Sequence, residues 1–123
     1  MKTVTIYLRS IKQNGEKHLA MFDSERNGDI DNLITEVPRG ASVIWKLDCC
    51  SGIKRITKIY SKTGERNVFK VNPEKRLLCK GFKLQISEDA TGEEAYAIEY
   101  IICDETKLTV DPMIRVPPPP KGS

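Results

Sequence analysis

The sequence is poor in the residues that catalytic and metal sites use. Histidine occurs once among 123 residues, as His18, and tryptophan also occurs once. A type 1 copper site needs two histidines and a cysteine, so a single histidine excludes that redox chemistry. Serine or cysteine catalysis would need His18 beside a nucleophile, and no nucleophile motif accompanies it. The sequence therefore predicts a protein that is not an enzyme and holds no metal or other cofactor.

Long apolar runs and glycine-rich loops are also missing. No stretch approaches the roughly 18 consecutive apolar residues of a membrane span, and the first ten residues, MKTVTIYLRS, lack the apolar segment of a signal peptide. The glycines after position 30 stand singly, as turn positions, and do not form a phosphate-binding loop. We therefore expect a cytoplasmic protein with no membrane span.

Four cysteines are present without the paired spacing of a structural zinc site. They are Cys49, Cys50, Cys79 and Cys103. Thiols stay reduced in the cytoplasm, and a free cysteine packs as a small apolar residue. We expect free thiols that are buried or half-buried in strands, with Cys49 and Cys50 on opposite faces of one strand.

The sequence does contain a period-two alternation of apolar and polar residues, which is typical of β-strands. Asn14-Gly15 predicts the turn of a hairpin between residues 3–8 and 18–22. Residues 95–103 are apolar on both faces, which favours a central strand. Residues 108–116 predict the last strand, and Pro112 within them indicates an edge position or a bulge.

Two segments between these strands are harder to interpret. Isoleucines at 53, 56 and 59 recur every third residue, which fits a helical turn, whereas their β-branched side chains favour an extended chain. Residues 68–71 predict a short strand ended by Asn72-Pro73.

Together these signals predict an all-β fold of seven to eight short strands. We expect an antiparallel β-sandwich, immunoglobulin-like or cupredoxin-like, without a metal site. Residues 1–116 form a single domain, and residues 117–123 form a proline-rich tail. The tail contains P-x-x-P, so it is either a docking ligand or a stiff terminus.

Residues 23–31 partly match a calcium-binding loop, with oxygen ligands at alternate positions and a glycine at the sixth. The twelfth position is Ile34, where a bidentate glutamate is needed, and a solvated loop with an Asn-Gly turn explains the same residues.

Charge is unevenly distributed along the chain. Residues 54–83 carry ten basic side chains against two acidic ones, a net charge of +8, whereas residues 84–123 carry −5. The ten are Lys54, Arg55, Lys58, Lys62, Arg66, Lys70, Lys75, Arg76, Lys80 and Lys83. We call residues 54–83 the basic block. It attracts an acidic or anionic partner, or it lies beside the acidic strands of its own fold.

The basic block is the predicted binding site. The first hypothesis is a non-catalytic protein that acts by self-association or by binding another protein through this block. The alternative is a ligand-binding module for an anion, a carbohydrate or a calcium ion. Nucleic acid is disfavoured as a partner because no RNA-binding signature accompanies the few aromatic residues of the block.

Several segments resemble those of a known family. They are GASVIW at 40–45, YAIEY at 96–100 and DPMIRV at 111–116, with VF at 68–69 and NP at 72–73 between them. In this order they resemble the PixA/AidA-type bacterial inclusion-body proteins over residues 37–116. The resemblance implies a bacterial β-sandwich that accumulates or self-associates. The chain differs in being shorter and more basic in its middle, and no functional residue carries over.

Overall fold

The fold consists of β-strands joined by turns and irregular segments. The computed structural model describes residues 3–22, 28–30, 34–48, 51–62, 68–69, 73–75 and 81–117. Eleven strands lie in these ranges: β1 Thr3–Gln13, β2 Glu16–Phe22, β3 Gly28–Ile30, β4 Ile34–Glu36, β5 Ser42–Leu47, β6 Ile53–Ser61, β7 Glu74–Lys75, β8 Phe82–Gln85, β9 Gly92–Ile102, β10 Lys107–Val110 and β11 Met113–Val116. The described segments contain no helix, and hence none with the length and apolarity of a membrane span. The prediction of an all-β fold is confirmed, whereas the predicted count of seven to eight strands is too low, because short strands such as β3, β4 and β7 have no clear alternation of their own.

Six strands form the first sheet, in the order β3-β2-β1-β5-β8-β7. β1 and β2 form the predicted hairpin, with Gln13 opposite Glu16. Asn14 and Gly15 both have positive φ, 53° and 81°, which matches the twist that a two-residue hairpin turn requires. The local sequence therefore fixed this turn without help from the rest of the chain.

The second sheet has five strands and is built around β9. β6 lies on one side of β9, and β10 and β11 lie on the other, with β4 beyond β11. β10 and β11 keep one register against β9 and are separated only by Asp111 and Pro112. Proline has no N–H to donate, and the Pro112 carbonyl accepts the N–H of Tyr96 at 3.1 Å. The predicted central strand and the predicted irregularity at Pro112 are both present.

Each sheet contains one parallel pair. β1 runs parallel to β5 in the first sheet, and β4 runs parallel to β11 in the second. The prediction of antiparallel sheets is wrong for these two pairs, so both sheets are mixed. Parallel neighbours are distant in sequence, and no turn between them signals the pairing.

β6 resolves the ambiguity of the isoleucine pattern. Its pairing with β9 shifts register twice, between Ile53 and Arg55 and between Ile56 and Lys58. Each β-bulge adds one residue to β6 for the same length of β9. Ile53, Ile56 and Ile59 therefore all point inward and are buried, although they are three residues apart. The period of three belongs to a bulged strand and not to a helix.

Inward side chains of both sheets meet in one buried cluster. At its centre are three aromatic rings, from Trp45 of β5, Tyr96 of β9 and Phe69. The ring centroids of Phe69 and Tyr96 are 5.1 Å apart, and those of Trp45 and Tyr96 are 5.7 Å apart. Trp45 Nε1 donates to the Tyr96 hydroxyl at 3.2 Å, and burial raises the pKa of Tyr96. The polar ends of both rings thus satisfy each other inside an apolar core.

Glu94 is a buried carboxylate in this core. Its Oε1 accepts the backbone N–H groups of Val68 and Phe69 at 2.8 and 3.0 Å. Its Oε2 is buried and has no hydrogen-bond partner among the described residues. Val68 and Phe69 are not in a strand, which corrects the predicted strand at 68–71 for these two residues, while 70–71 lie outside the described residues. A carboxylate, and not a neighbouring strand, satisfies their N–H groups.

Other expectations fall partly or wholly outside the described ranges. Gly28–Ile30 of the calcium-like loop form β3 against β2, which leaves 23–27 and 31 outside them. Cys49, Cys50 and Cys79 and the tail after Pro117 also lie outside. Cys103 is free but exposed, one residue beyond β9, so the expectation of a buried or half-buried strand thiol is wrong there. Its N–H donates to the Gly52 carbonyl at 3.1 Å.

Because the bulges turn Ile56 into the core, truncating its side chain should destabilise the protein. We expect Ile56→Ala to lower the free energy of unfolding by about 2–5 kcal/mol, because it leaves a cavity at a buried site. Ile34→Ala is the matched control, since Ile34 is 47% exposed, and should change it by less than about 0.5 kcal/mol. Urea unfolding measures both. Equal effects would mean that β6 alternates regularly and turns Ile56 outward.

Glu94 gives a second stability prediction. Glu94→Ala leaves two buried N–H groups without an acceptor, at about 1–3 kcal/mol each. Glu94→Gln keeps a carbonyl oxygen as acceptor, so we expect it to lose much less. Urea unfolding at neutral pH compares the two variants. A glutamine variant as unstable as the alanine variant would show that the negative charge, and not the acceptor, holds residues 68–69.

Candidate functional site

The predicted basic block divides between the two sheets. Lys54, Arg55, Lys58 and Lys62 lie on β6 or directly after it, whereas Lys75 and Lys83 lie on β7 and β8 of the first sheet. All six are exposed. Arg66, Lys70, Arg76 and Lys80 lie outside the described residues. The described part of the block thus forms two separate groups, and the β6 group is the larger.

The β6 group is concentrated by the two bulges. Each of the first two inward isoleucines is followed by two exposed residues, Lys54 and Arg55 after the first and Thr57 and Lys58 after the second. A regular strand would expose only one residue in two. We use the term β6 face for the exposed or half-exposed side chains of residues 54, 55, 57, 58, 60 and 62.

The two ends of the β6 face are neutralised within the molecule. Lys54 forms an ion pair with Glu105, in the turn between β9 and β10, and this pair lowers the pKa of the Glu105 carboxyl. At the other end, Lys62 Nζ lies 3.0 Å from Asp111. Exposed ion pairs add little stability, so their main effect is to cancel charge. The acidic C-terminal third does therefore lie beside part of the basic block.

The centre of the β6 face keeps its positive charge. Among the described residues, neither Arg55 nor Lys58 has a carboxylate within 4.0 Å. Lys58 Nζ lies 4.6 Å from the centroid of the Tyr60 ring, in a cation–π contact. The Tyr60 hydroxyl donates to the Glu99 carboxylate, which raises the pKa of Tyr60. These contacts orient Lys58 without neutralising it.

A groove of about 320 Å³ adjoins this centre and crosses β6, β9 and β10. Arg55 and Lys107 both lie directly opposite Ile101, one on each side of it, so the three residues form a row across the sheet. Ile101 is only 4% exposed although it lies outside the core cluster. The groove thus has an apolar floor between two cationic side chains.

The next row of the groove contains the acidic residue Glu99. Lys58 of β6 and Thr109 of β10 lie opposite it on either side. The Thr57 hydroxyl donates to the Glu99 backbone carbonyl at 3.0 Å, which closes the groove at the second bulge. The Glu99 carboxylate therefore lies beside Lys58 and next to the row that contains Arg55 and Lys107.

Sequence reasoning missed Lys107, Glu99 and Thr109. Lys107 is an isolated lysine in the acidic third of the chain, about fifty residues from Arg55. Only the register of β9 with both neighbours brings the two cations into one row. The sequence predicted strands near β9 and β10 but left residues 53–59 open between a helical turn and a strand. Even with three strands, a one-residue error in register would have put these side chains on opposite faces.

The remaining candidates do not combine into a site. His18 lies on β2, with Nε2 3.8 Å from the exposed Glu16. Cys103 lines a shallow hollow of about 260 Å³ beside the ion pair of Lys17 and Asp104. The hydrogen bond from Lys17 lowers the pKa of Asp104 to about 2. Within the described part of the chain, no three histidine, cysteine or acidic side chains are grouped as metal ligands would be.

The Tyr60–Glu99 contact predicts a measurable titration. We expect Glu99→Gln to bring the pKa of Tyr60 down toward the usual value of about 10, because the negative acceptor is removed. Glu93→Gln, on the same strand but paired with Arg115, is the control and should leave it unchanged. NMR titration of ring-labelled tyrosine reports each group. An unshifted Tyr60 in the Glu99 variant would disprove the contact.

Comparison with known proteins adds no relative. No protein-family model matches the chain, and no curated protein sequence matches it. The resemblance to PixA/AidA-type proteins stays a prediction, and the geometry of the β6 face and its groove is the basis for any functional conclusion.

Proposed function

We propose that this chain is a non-catalytic protein-binding module that attaches to an acidic surface of a partner protein through the β6 face. One observation carries the proposal. Arg55 and Lys58, at the centre of the face, are exposed and have no carboxylate within 4.0 Å among the described residues, whereas Lys54 and Lys62 at its ends each have one. Glu105 acts on Arg55 only from beyond that distance. A cationic centre flanked by neutralised ends attracts an acidic partner and also limits where it docks.

The chemistry of the two central cations supports protein recognition. The guanidinium of Arg55 presents a planar fork of donors that matches a carboxylate, and it is more weakly hydrated than an ammonium. Tyr60 lies beside them, and arginine and tyrosine are enriched where protein interfaces bind most strongly. A partner contacting β6, Tyr60 and the adjoining groove at once would cover more surface than the strand alone.

Another protein is a better partner than a second copy of this chain. Glu105 and Asp111, acidic residues of the C-terminal third, already pair with Lys54 and Lys62 of the same molecule. They are therefore less available to a neighbouring copy. Pairing β6 of one copy with β6 of another would bring like charges together, as charged side chains on edge strands commonly do to prevent aggregation. Self-association is an outcome that the experiment below detects.

The finer description of the fold is also a proposal. The two mixed sheets contribute inward side chains to one cluster, which supports a β-sandwich. Its immunoglobulin-like or cupredoxin-like type, the bacterial origin and the cytoplasmic location stay predictions. The PixA/AidA resemblance agrees with a β-sandwich that acts by binding.

Charge reversal at the centre of the β6 face tests the proposal. The probe is labelled poly-glutamate, a defined acidic chain, followed by fluorescence anisotropy at low and high salt. We expect the double variant Arg55→Glu/Lys58→Glu to bind at least about tenfold more weakly than the unchanged protein. Lys46→Glu/Lys75→Glu changes the net charge equally but on the first sheet, and we expect it to retain most of the affinity.

Two results would contradict this function. Equal losses in both double variants would mean that only net charge matters. Tighter binding of a single-stranded oligonucleotide than of poly-glutamate would favour nucleic acid instead. Sedimentation velocity of the same variants detects self-association: an oligomer that the Arg55/Lys58 reversal alone dissociates would make a second copy the partner.

A further inference from the structure

We infer that the groove beside the β6 face is a two-point clamp for an extended acidic segment whose acidic side chains alternate along its chain. This inference rests on the proposed function and names the chemistry of the partner. Arg55 and Lys107 are the two points of the clamp, and Ile101 is the floor between them.

The spacing of the two cations determines the pattern of acids. Neighbouring strands lie about 4.7–4.9 Å apart, so the Cα atoms of Arg55 and Lys107, one on each side of β9, are separated by about 9–10 Å. Alternate residues of an extended peptide lie about 6.6–6.8 Å apart and point to the same side. The long, flexible arginine and lysine side chains lean inward over the remaining 3 Å or so. Two acids at positions i and i+2 therefore reach one cation each.

The apolar floor formed by Ile101 lies under the peptide backbone between the two acids. Ile101 is 4% exposed and lies between Arg55 and Lys107 in the same row of the sheet. Arginine and lysine commonly lay their aliphatic stems along apolar surface while their charged ends remain in water. When the charged ends turn to a ligand, the backbone of the peptide between its two acids faces Ile101.

Glu99 excludes a ligand with dense negative charge. Its carboxylate lies one row away from the clamp, and it accepts the Tyr60 hydroxyl. A continuous chain of phosphates carries more negative charge over the same length, so this neighbouring carboxylate repels it more strongly than it repels two separated carboxylates. Two separated carboxylates engage Arg55 and Lys107 and avoid it. The groove is therefore better matched to an acidic peptide than to a nucleic acid.

A pair of peptides with equal charge tests the clamp. One is acetyl-Ser-Ser-Glu-Ser-Glu-Ser-Ser-amide, with alternate acids, and the other is acetyl-Ser-Ser-Glu-Glu-Ser-Ser-Ser-amide, with adjacent acids that point to opposite sides of an extended chain. NMR titration of the full chain at low salt gives both dissociation constants. We expect the alternating peptide to bind about fivefold more tightly, as one additional exposed ion pair allows.

Lys107→Gln isolates the second point of the clamp. Lys107 is exposed, so the substitution should leave folding intact. Poly-glutamate also has acids at i and i+2, so we expect it to bind this variant more weakly, but with a smaller loss than the Arg55/Lys58 reversal causes. We expect it to abolish the preference for the alternating peptide. Lys83→Gln, an equal charge change on the first sheet, should retain the preference.

The outcomes separate this inference from the proposed function. Equal affinities for the two peptides, or a preference that survives Lys107→Gln, would overturn the clamp, while the function stands if the Arg55/Lys58 reversal still removes poly-glutamate binding. Inorganic phosphate that displaces the alternating peptide at equal concentration would also overturn the clamp and make the groove a small-anion site. If the protein without substitutions does not bind poly-glutamate, the proposed function itself is wrong.

Discussion

The pairing of β6 with β9 is the constraint on which both the core and the surface of this protein depend. Two bulges let β6 direct three isoleucines inward. They also expose the two residues that follow Ile53 and the two that follow Ile56. Without the bulges, a strand that keeps Ile53 inward would turn Ile56 to solvent and Arg55 to the core, because successive residues of a regular strand alternate between its two faces. Burial of Ile56 and exposure of Arg55 therefore have the same cause.

The electrostatic arrangement follows from the topology of the second sheet. The acidic C-terminal third enters this sheet as β9, β10 and β11, so its turns and connections lie at the ends of the basic strand. Glu105 and Asp111 meet lysines there, which leaves the positive charge at the middle of β6. The charge segregation seen along the sequence is thus partly cancelled in space. On the β6 face, what remains is a cationic centre of two residues, Arg55 and Lys58.

Local signals accounted for the elements that could be predicted. Asn14-Gly15 needs only its own backbone preference to make the hairpin, and Pro112 interrupts a strand wherever it falls because it lacks an N–H. The missed features all depend on distant partners. The parallel pairing of β1 with β5, the contact of Glu94 with residues 68–69 and the row that joins Arg55 to Lys107 have no local signal. For the candidate site, the charge distribution of the sequence identified Arg55 as a binding residue, whereas Lys107 could be identified only from the register of β10 with β9.

Attachment at both ends prepares the β6 strand for binding. Before β6, the Ser51 carbonyl accepts the N–H of Ser10 and the Gly52 carbonyl accepts that of Cys103. After it, the N–H of Lys62 donates to the Ala95 carbonyl, and Glu94 of the same strand β9 holds Val68 and Phe69 in the core. The backbone of β6 is therefore already held in place, and a partner does not have to order it on binding. Beyond the general cost of association, the partner fixes the Arg55 and Lys58 side chains at about 0.5–1.5 kcal/mol each, so little of the binding free energy is spent on ordering this strand.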